Sequence, residues 1–184
     1  MITFEKPGKE NTDKTIELAI AYAKEHGIKN IVVASGSGFT ASKLKAYASD
    51  FNIAAVTLAY GYKEENKNSF PDEVRKELEN AGMRVVTAAH ALSGAERSMS
   101  AKFTGVYPIE IMAHTLRMFG QGTKVCVECS TMAADCGAVP SGEPILAIAG
   151  TGGGADTALI LKAAPTQHIL NTKICEIICK PSLK

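Results

Sequence analysis

Apolar residues occur along the chain in two alternating rhythms. Short unbroken runs at residues 31–34, 53–58, 85–88, 145–149 and 158–161 read as strands buried on both faces. Between them the apolar positions space out. Ile16, Ala19, Ile20 and Ala23 recur at helical intervals after Asn11 or Thr12, either of which can cap a helix, and Gly27 closes that element. Further helices are expected from Phe39-Thr40, from Pro71 to about Asn80, and over residues 109–119. Val125-Cys126-Val127 alone would suit a strand, but Cys129, Met132, Ala133 and Cys136 continue at helical spacing, so residues 125–136 are read as helix. Ile2-Thr3-Phe4 suits a short edge strand, and residues 174–178 alternate as a final strand. The pattern predicts an α/β fold: a three-layer α/β/α sandwich around a mostly parallel mixed sheet, in one domain over residues 1–184. The last two strands follow each other without a helix, which places the antiparallel pairing at one sheet edge.

One stretch fits neither rhythm. Residues 89–108 read as a loop far longer than the usual connection of about 4–6 residues. Loops of that length are usually functional, and this one is expected to close over a ligand.

Composition narrows the class of protein. The chain is 46% hydrophobic and 21% charged with a net charge of +1, an ordinary globular balance. No polybasic face stands out, which argues against nucleic acid and anionic membrane as partners. No apolar run reaches bilayer length, and residues 1–14 lack the apolar core of a secretory signal. A cytoplasmic location is the expectation. The five cysteines are expected to be buried free thiols rather than metal ligands, despite the C-x-x-C of Cys126 and Cys129 and the four-residue spacing of Cys175 and Cys179.

Three segments hold candidate chemistry. Ser35-Gly36-Ser37-Gly38-Phe39-Thr40 lies between a buried strand and a helix. Its backbone N–H groups, the helix start and three hydroxyls can all serve a phosphate, and its glycines admit close approach. It lacks the Lys of a P-loop, and an unoccupied strand-to-helix turn would look similar. Thr151, Gly152, Gly153 and Gly154 follow another strand, at the sheet edge where ligands bind in open α/β folds, although a plain connection between neighbouring strands fits as well. The long loop contributes His90, Ser93, Arg97 and Lys102, of which Arg97 and Lys102 suit a phosphate or simply a solvated face, and His90 an acid–base role or a hydrogen-bonded structural one.

At these residues the sequence resembles a known family. Met132 to Gly150 and the loop from Val32 to Ala41 are similar to parts of the C-terminal domain of pyruvate kinase, where the second of these holds the phosphate of a sugar-bisphosphate activator. Almost the whole chain resembles a stand-alone family of archaeal and bacterial pyruvate kinase α/β-domain-like proteins. The matching stretches include Lys6-Pro7-Gly8-Lys9-Glu10-Asn11-Thr12, Leu92-Ser93-Gly94-Ala95-Glu96-Arg97-Ser98, Lys124-Val125-Cys126-Val127-Glu128 and Gly154-Ala155-Asp156-Thr157-Ala158. The resemblance implies a pyruvate kinase C-terminal-type fold and flavin mononucleotide (FMN) as cofactor, with Ser35, Gly36, Ser37, Gly38 and Thr40 around its phosphate. Phe39 departs from the basic residue of the activator loop, which argues against a bisphosphate ligand; it is compatible with a planar ring nearby and equally with a place in the core. The barrel that carries pyruvate kinase catalysis has no counterpart here, so no such activity is expected.

The leading expectation is therefore a binding domain for a small phosphorylated molecule, FMN first among them, with no metal. The alternative is a flavin-dependent or phosphate-handling enzyme using His90, Arg97 and Asp156. A protein-interaction domain that has lost its ligand is a third reading, and a homo-oligomer is a further expectation about partners.

Overall fold

The computed structural model describes residues 1–183. Seven strands form one sheet: β1 (Ile2–Phe4), β2 (Asn30–Ala34), β3 (Asn52–Val56), β4 (Arg84–Val86), β5 (Pro144–Ala149), β6 (Thr157–Lys162) and β7 (Lys173–Pro181). Their order across the sheet is β1-β7-β6-β5-β2-β3-β4. All neighbouring pairs are parallel except β5–β6 and β6–β7. A single reversed strand, β6, thus lies inside the sheet. The antiparallel pairing is not at an edge, because β1 returns to cover the far side of β7.

The helices are α1 (Thr12–Glu25), α2 (Phe39–Leu44), α3 (Asp72–Asn80), α4 (Gly94–Lys102), α5 (Pro108–Arg117) and α6 (Gln121–Asp135). Alternate residues of each strand point to opposite faces, and the two faces build separate cores. Ile31, Val33, Ile53, Ala55, Leu146 and Ile148 pack with Ile16, Ile20 and Ala23 of α1, Leu44 of α2 and Leu78 of α3. On the other face Val32, Ala54, Ile145, Ala147 and Leu159 pack with Ala113 of α5 and with Cys126, Met132 and Ala133 of α6. Strands covered on both sides need apolar residues at every position, which is why their runs are unbroken. Among the described residues no helix is long and apolar enough to cross a membrane.

The structure corrects three expectations. Residues 89–108 are not one loop, because α4 occupies the middle. This helix buries none of its residues, so it has no apolar stripe to reveal it. The strand over residues 174–178 forms, but its alternation is interrupted. The partners of β6 step from Cys179 to Ile177 and from Glu176 to Ile174, leaving Ile178 and Cys175 as extra residues on β7. Finally, not every cysteine is buried: Cys126, Cys129 and Cys179 are, whereas Cys136 and Cys175 are exposed.

Candidate functional site

The connections decide where a ligand fits. The path from β2 to β3 runs through α2, which packs on the α1 face, whereas the path from β4 to β5 runs through α5 and α6 on the other face. Since β2 and β5 are parallel neighbours, the segment that leaves β2 for α2 and the turn that leaves β5 for β6 emerge side by side, with α6 on the opposite face, and frame a crevice at the carboxyl edge of the sheet. Such switch points are where open α/β sheets hold ligands. A cleft of about 520 Å³ lies there.

The phosphate-loop candidate forms one wall. Ser35, Gly36, Ser37, Phe39 and Thr40 line the cleft. The N–H of Ser35 is committed to the carbonyl of Val56 at 2.9 Å, and its hydroxyl accepts the N–H of Ala41 at 3.3 Å. Ser35 therefore shapes the turn rather than offering a free donor. In contrast, the N–H groups of Gly36, Ser37, Gly38, Phe39 and Thr40 have no hydrogen-bond partner among the described residues, nor do the hydroxyls of Ser37 and Thr40. Gly38 makes the turn with φ 87°, and a Cβ there would come within 2.7 Å of Val74 Cγ1. The following helix is only six residues long, so its dipole is small and the loop amides are the principal feature. Phe39 lies partly buried beneath cations, with Lys9 Nζ 3.9 Å and Lys43 Nζ 5.2 Å from its ring centroid.

The glycine loop faces this wall through Gly150, Gly152, Gly153 and Gly154. Thr151 does not line the cleft. Its N–H donates to Asp156 Oδ2 at 3.1 Å, the same oxygen that accepts the N–H of Gly8 at 3.1 Å. The other oxygen of Asp156 accepts the Thr157 hydroxyl at 2.7 Å. Asp156 is completely buried, so it holds the loop in place and cannot meet a substrate. That removes it from the acid–base role considered for it. Gly154 has φ 67°, and a Cβ on it would approach Lys9 Cα to 2.7 Å. The segment from Gly8 to Thr12 thus straps the loop from behind, with Ala155 donating to the Thr12 hydroxyl at 3.0 Å.

The third wall comes from the segments after β3 and β4. His90, Ser93 and Arg97 reach the cleft as expected, joined by Tyr62 and Lys63. Arg97 Nη1 donates to the Tyr62 hydroxyl at 3.2 Å, and the Tyr62 ring lies against His90 with centroids 4.8 Å apart. Lys102, on exposed α4, does not line the cleft. Nε2 of His90 accepts the N–H of Ala59 at 3.4 Å, which places the ring proton on Nδ1. Burial holds His90 below the ordinary histidine value. The nearby Lys124 and Arg97 push it the same way, while Glu128 opposes them.

The fourth wall was not anticipated. Arg117, Gln121, Lys124 and Glu128 succeed one another across the end of α5 and the start of α6 and face the cleft with Val125, Cys129 and Met132. Lys124 and Glu128, both 5% exposed, form an ion pair, and Glu128 Oε1 also accepts the N–H of Leu92 at 3.0 Å. Their spacing of four on a helix that otherwise buries Cys, Val, Met and Ala was the available signal. Cys129 lies in the floor as an inert thiol, since burial and then Glu128 raise it far above the ordinary value. Among the described residues no group of three or more His, Cys, Asp or Glu side chains is arranged to hold a metal ion.

The sequence model of the family described as pyruvate kinase, alpha/beta domain, matches residues 13–161, a span that includes every strand from β2 to β5 and both glycine-bearing loops. With its crevice between β2 and β5 at the carboxyl edge of the sheet, this chain belongs to the pyruvate kinase alpha/beta domain family.

Proposed function

We propose that the cleft binds a small phosphorylated ligand, FMN in the first place, with its phosphate on the Ser35–Thr40 loop. The observation behind this reading is the set of five consecutive backbone N–H groups, at residues 36–40, that face no protein acceptor beside a ligand crevice. The free hydroxyls of Ser37 and Thr40 add two donors, and glycine at 38 and 154 lets the two loops pack closely against Val74 and Lys9. Charge-assisted hydrogen bonds contribute about 1.5–3 kcal/mol each. Two or three of them, with a ring buried against Val56, Leu58 and Met132, reach the roughly 8 kcal/mol of a micromolar complex. The residues fit the cofactor: amides and hydroxyls for the phosphate, apolar side chains and Tyr62 for a planar ring.

Titration of the purified protein with FMN and with riboflavin, followed by flavin fluorescence, tests the reading. FMN binds far more tightly, and Ser37→Ala weakens it about tenfold, equivalent to 1.4 kcal/mol. Equal affinity for the two flavins removes the phosphate from this loop. A flavin-dependent or phosphate-handling enzyme is the second reading, favoured by one observation: a neutral, half-buried His90 beside the buried Lys124–Glu128 pair in the same cleft. Phosphoryl transfer from phosphoenolpyruvate to ADP is not part of either reading.

A further inference from the structure

The fourth wall of the cleft is built for an anion that the phosphate loop does not serve. Of the cations lining the cleft, Lys63 is exposed to solvent, Arg97 is turned onto Tyr62, and Lys124 is neutralised by Glu128. Arg117 is different. Its Nε donates to Gln121 Oε1 at 2.9 Å, which fixes the plane of the guanidinium, and its two Nη groups have no hydrogen-bond partner among the described residues. Seven residues further along, past the break at Gly120, Lys124 is buried beside the same cleft and its ammonium uses a single protein acceptor among the described residues. A planar fork with both outer nitrogens free matches the geometry of a carboxylate or a phosphate.

The charge balance selects between them. Lys124 and Glu128 cancel, so Arg117 is the one uncompensated positive charge on this wall. A single carboxylate group seated there balances it, whereas a doubly charged phosphate group would leave a negative charge beside the carboxylate of Glu128. We infer that Arg117 and Lys124 form a second anion subsite, which holds the carboxylate of a small organic acid while the Ser35–Thr40 loop holds the phosphorylated ligand. The inference rests on the cleft being the ligand site, and not on that ligand being a flavin.

Isothermal titration of the full chain with succinate and with succinamide, its uncharged isostere, tests the subsite. Succinate binds and succinamide does not. Arg117→Met lowers succinate affinity at least tenfold, Arg117→Lys lowers it less, and Ser37→Ala leaves it within twofold of wild type. Thermal melts of each variant confirm that the fold persists, and the lysine variant decides the question if the methionine variant does not fold. Absence of succinate binding, equal binding of the two probes, or equal binding by wild type and the Arg117 variants overturns the inference. So does loss of succinate binding on Ser37→Ala alone, because the acid would then lie on the phosphate loop. FMN titration of the same proteins separates the two readings. Succinate binding that depends on Arg117, without FMN binding, sinks the flavin and leaves the subsite standing.

Discussion

The backbone N–H of Gly8 donates to the carboxylate of Asp156 at 3.1 Å, joining positions 148 residues apart in the chain. The same carboxylate accepts from Thr151 and Thr157, so one buried side chain fixes the strap, the glycine loop and the start of β6 together. Removing it strands three donors, the Thr157 hydroxyl fully buried and the Gly8 and Thr151 N–H groups partly so, and a buried unpaired donor costs about 1–3 kcal/mol. Asp156→Ala is expected to lower unfolding free energy by about 3 kcal/mol in urea titrations. It also weakens FMN binding, because the loop loses its anchor.

The Lys124–Glu128 pair offers a sharper energetic test. Breaking a buried ion pair by removing one partner typically costs about 3–5 kcal/mol, because the other charge is left unpaired. Lys124→Met is expected to fall in that range. In the double variant Lys124→Met with Glu128→Gln, no charge remains and the amide oxygen still accepts the Leu92 N–H. More than half of the lost stability returns, as a double-mutant cycle in urea will show.

His90 makes stability depend on pH in a defined direction. Its folded value is depressed below the ordinary value of about 6.5, mainly by burial. As pH falls through 6.5 the unfolded chain takes up a proton that the folded one refuses, so stability declines, and the decline stops once pH passes below the folded value. Unfolding curves of wild type and His90→Gln should run parallel above pH 6.5. Below it, wild type should lose stability relative to the variant. A gap that stays constant at every pH contradicts the assignment.

The helix that interrupts the long connection is held mainly at its ends. Glu96 accepts the N–H groups of Ile109 and Glu110 at 3.4 and 2.9 Å, Ser100 bonds Glu110, and no residue of α4 is buried. Elements with so little buried surface open at low free energy. Arg97 reaches the cleft from this helix, so ligand contacts there should restrain it. Amide exchange over residues 94–102 is expected to slow on saturation with FMN, and unchanged exchange contradicts a closing role.

How much of this was legible beforehand follows from what each residue does. The doubly covered strands announce themselves, since Ile31, Val32 and Val33 are all buried and leave no polar gap. The Ser35–Thr40 and Gly150–Gly154 loops were visible because a turn at a strand end needs particular residues. Gly94 to Lys102 was not, because a helix that buries nothing has no periodicity to detect. Arg117 and Lys124 are not legible as a pair because Gly120 separates them into two elements, and only packing shows that both face one cleft. The two extra residues of β7, Cys175 and Ile178, are equally hidden, because residues 174–178 read as plain alternation. Register irregularities of this kind depend on the neighbouring strand and leave no mark in the residues themselves.

The pairing of β1 with β7 bears on the order in which the molecule is assembled. Ile2, Thr3 and Phe4 find their partners at Cys179, Lys180 and Pro181, and at no other strand. On a ribosome the first strand therefore emerges with nothing to bond to, and waits until β7 has been made and has joined β6. The central strands β2 and β3, joined through α2 by residues 35–51, can associate long before. The strap behind the glycine loop takes its partners from Ala155 and Asp156, which precede β7, so the cleft can close before the first strand finds its place in the sheet.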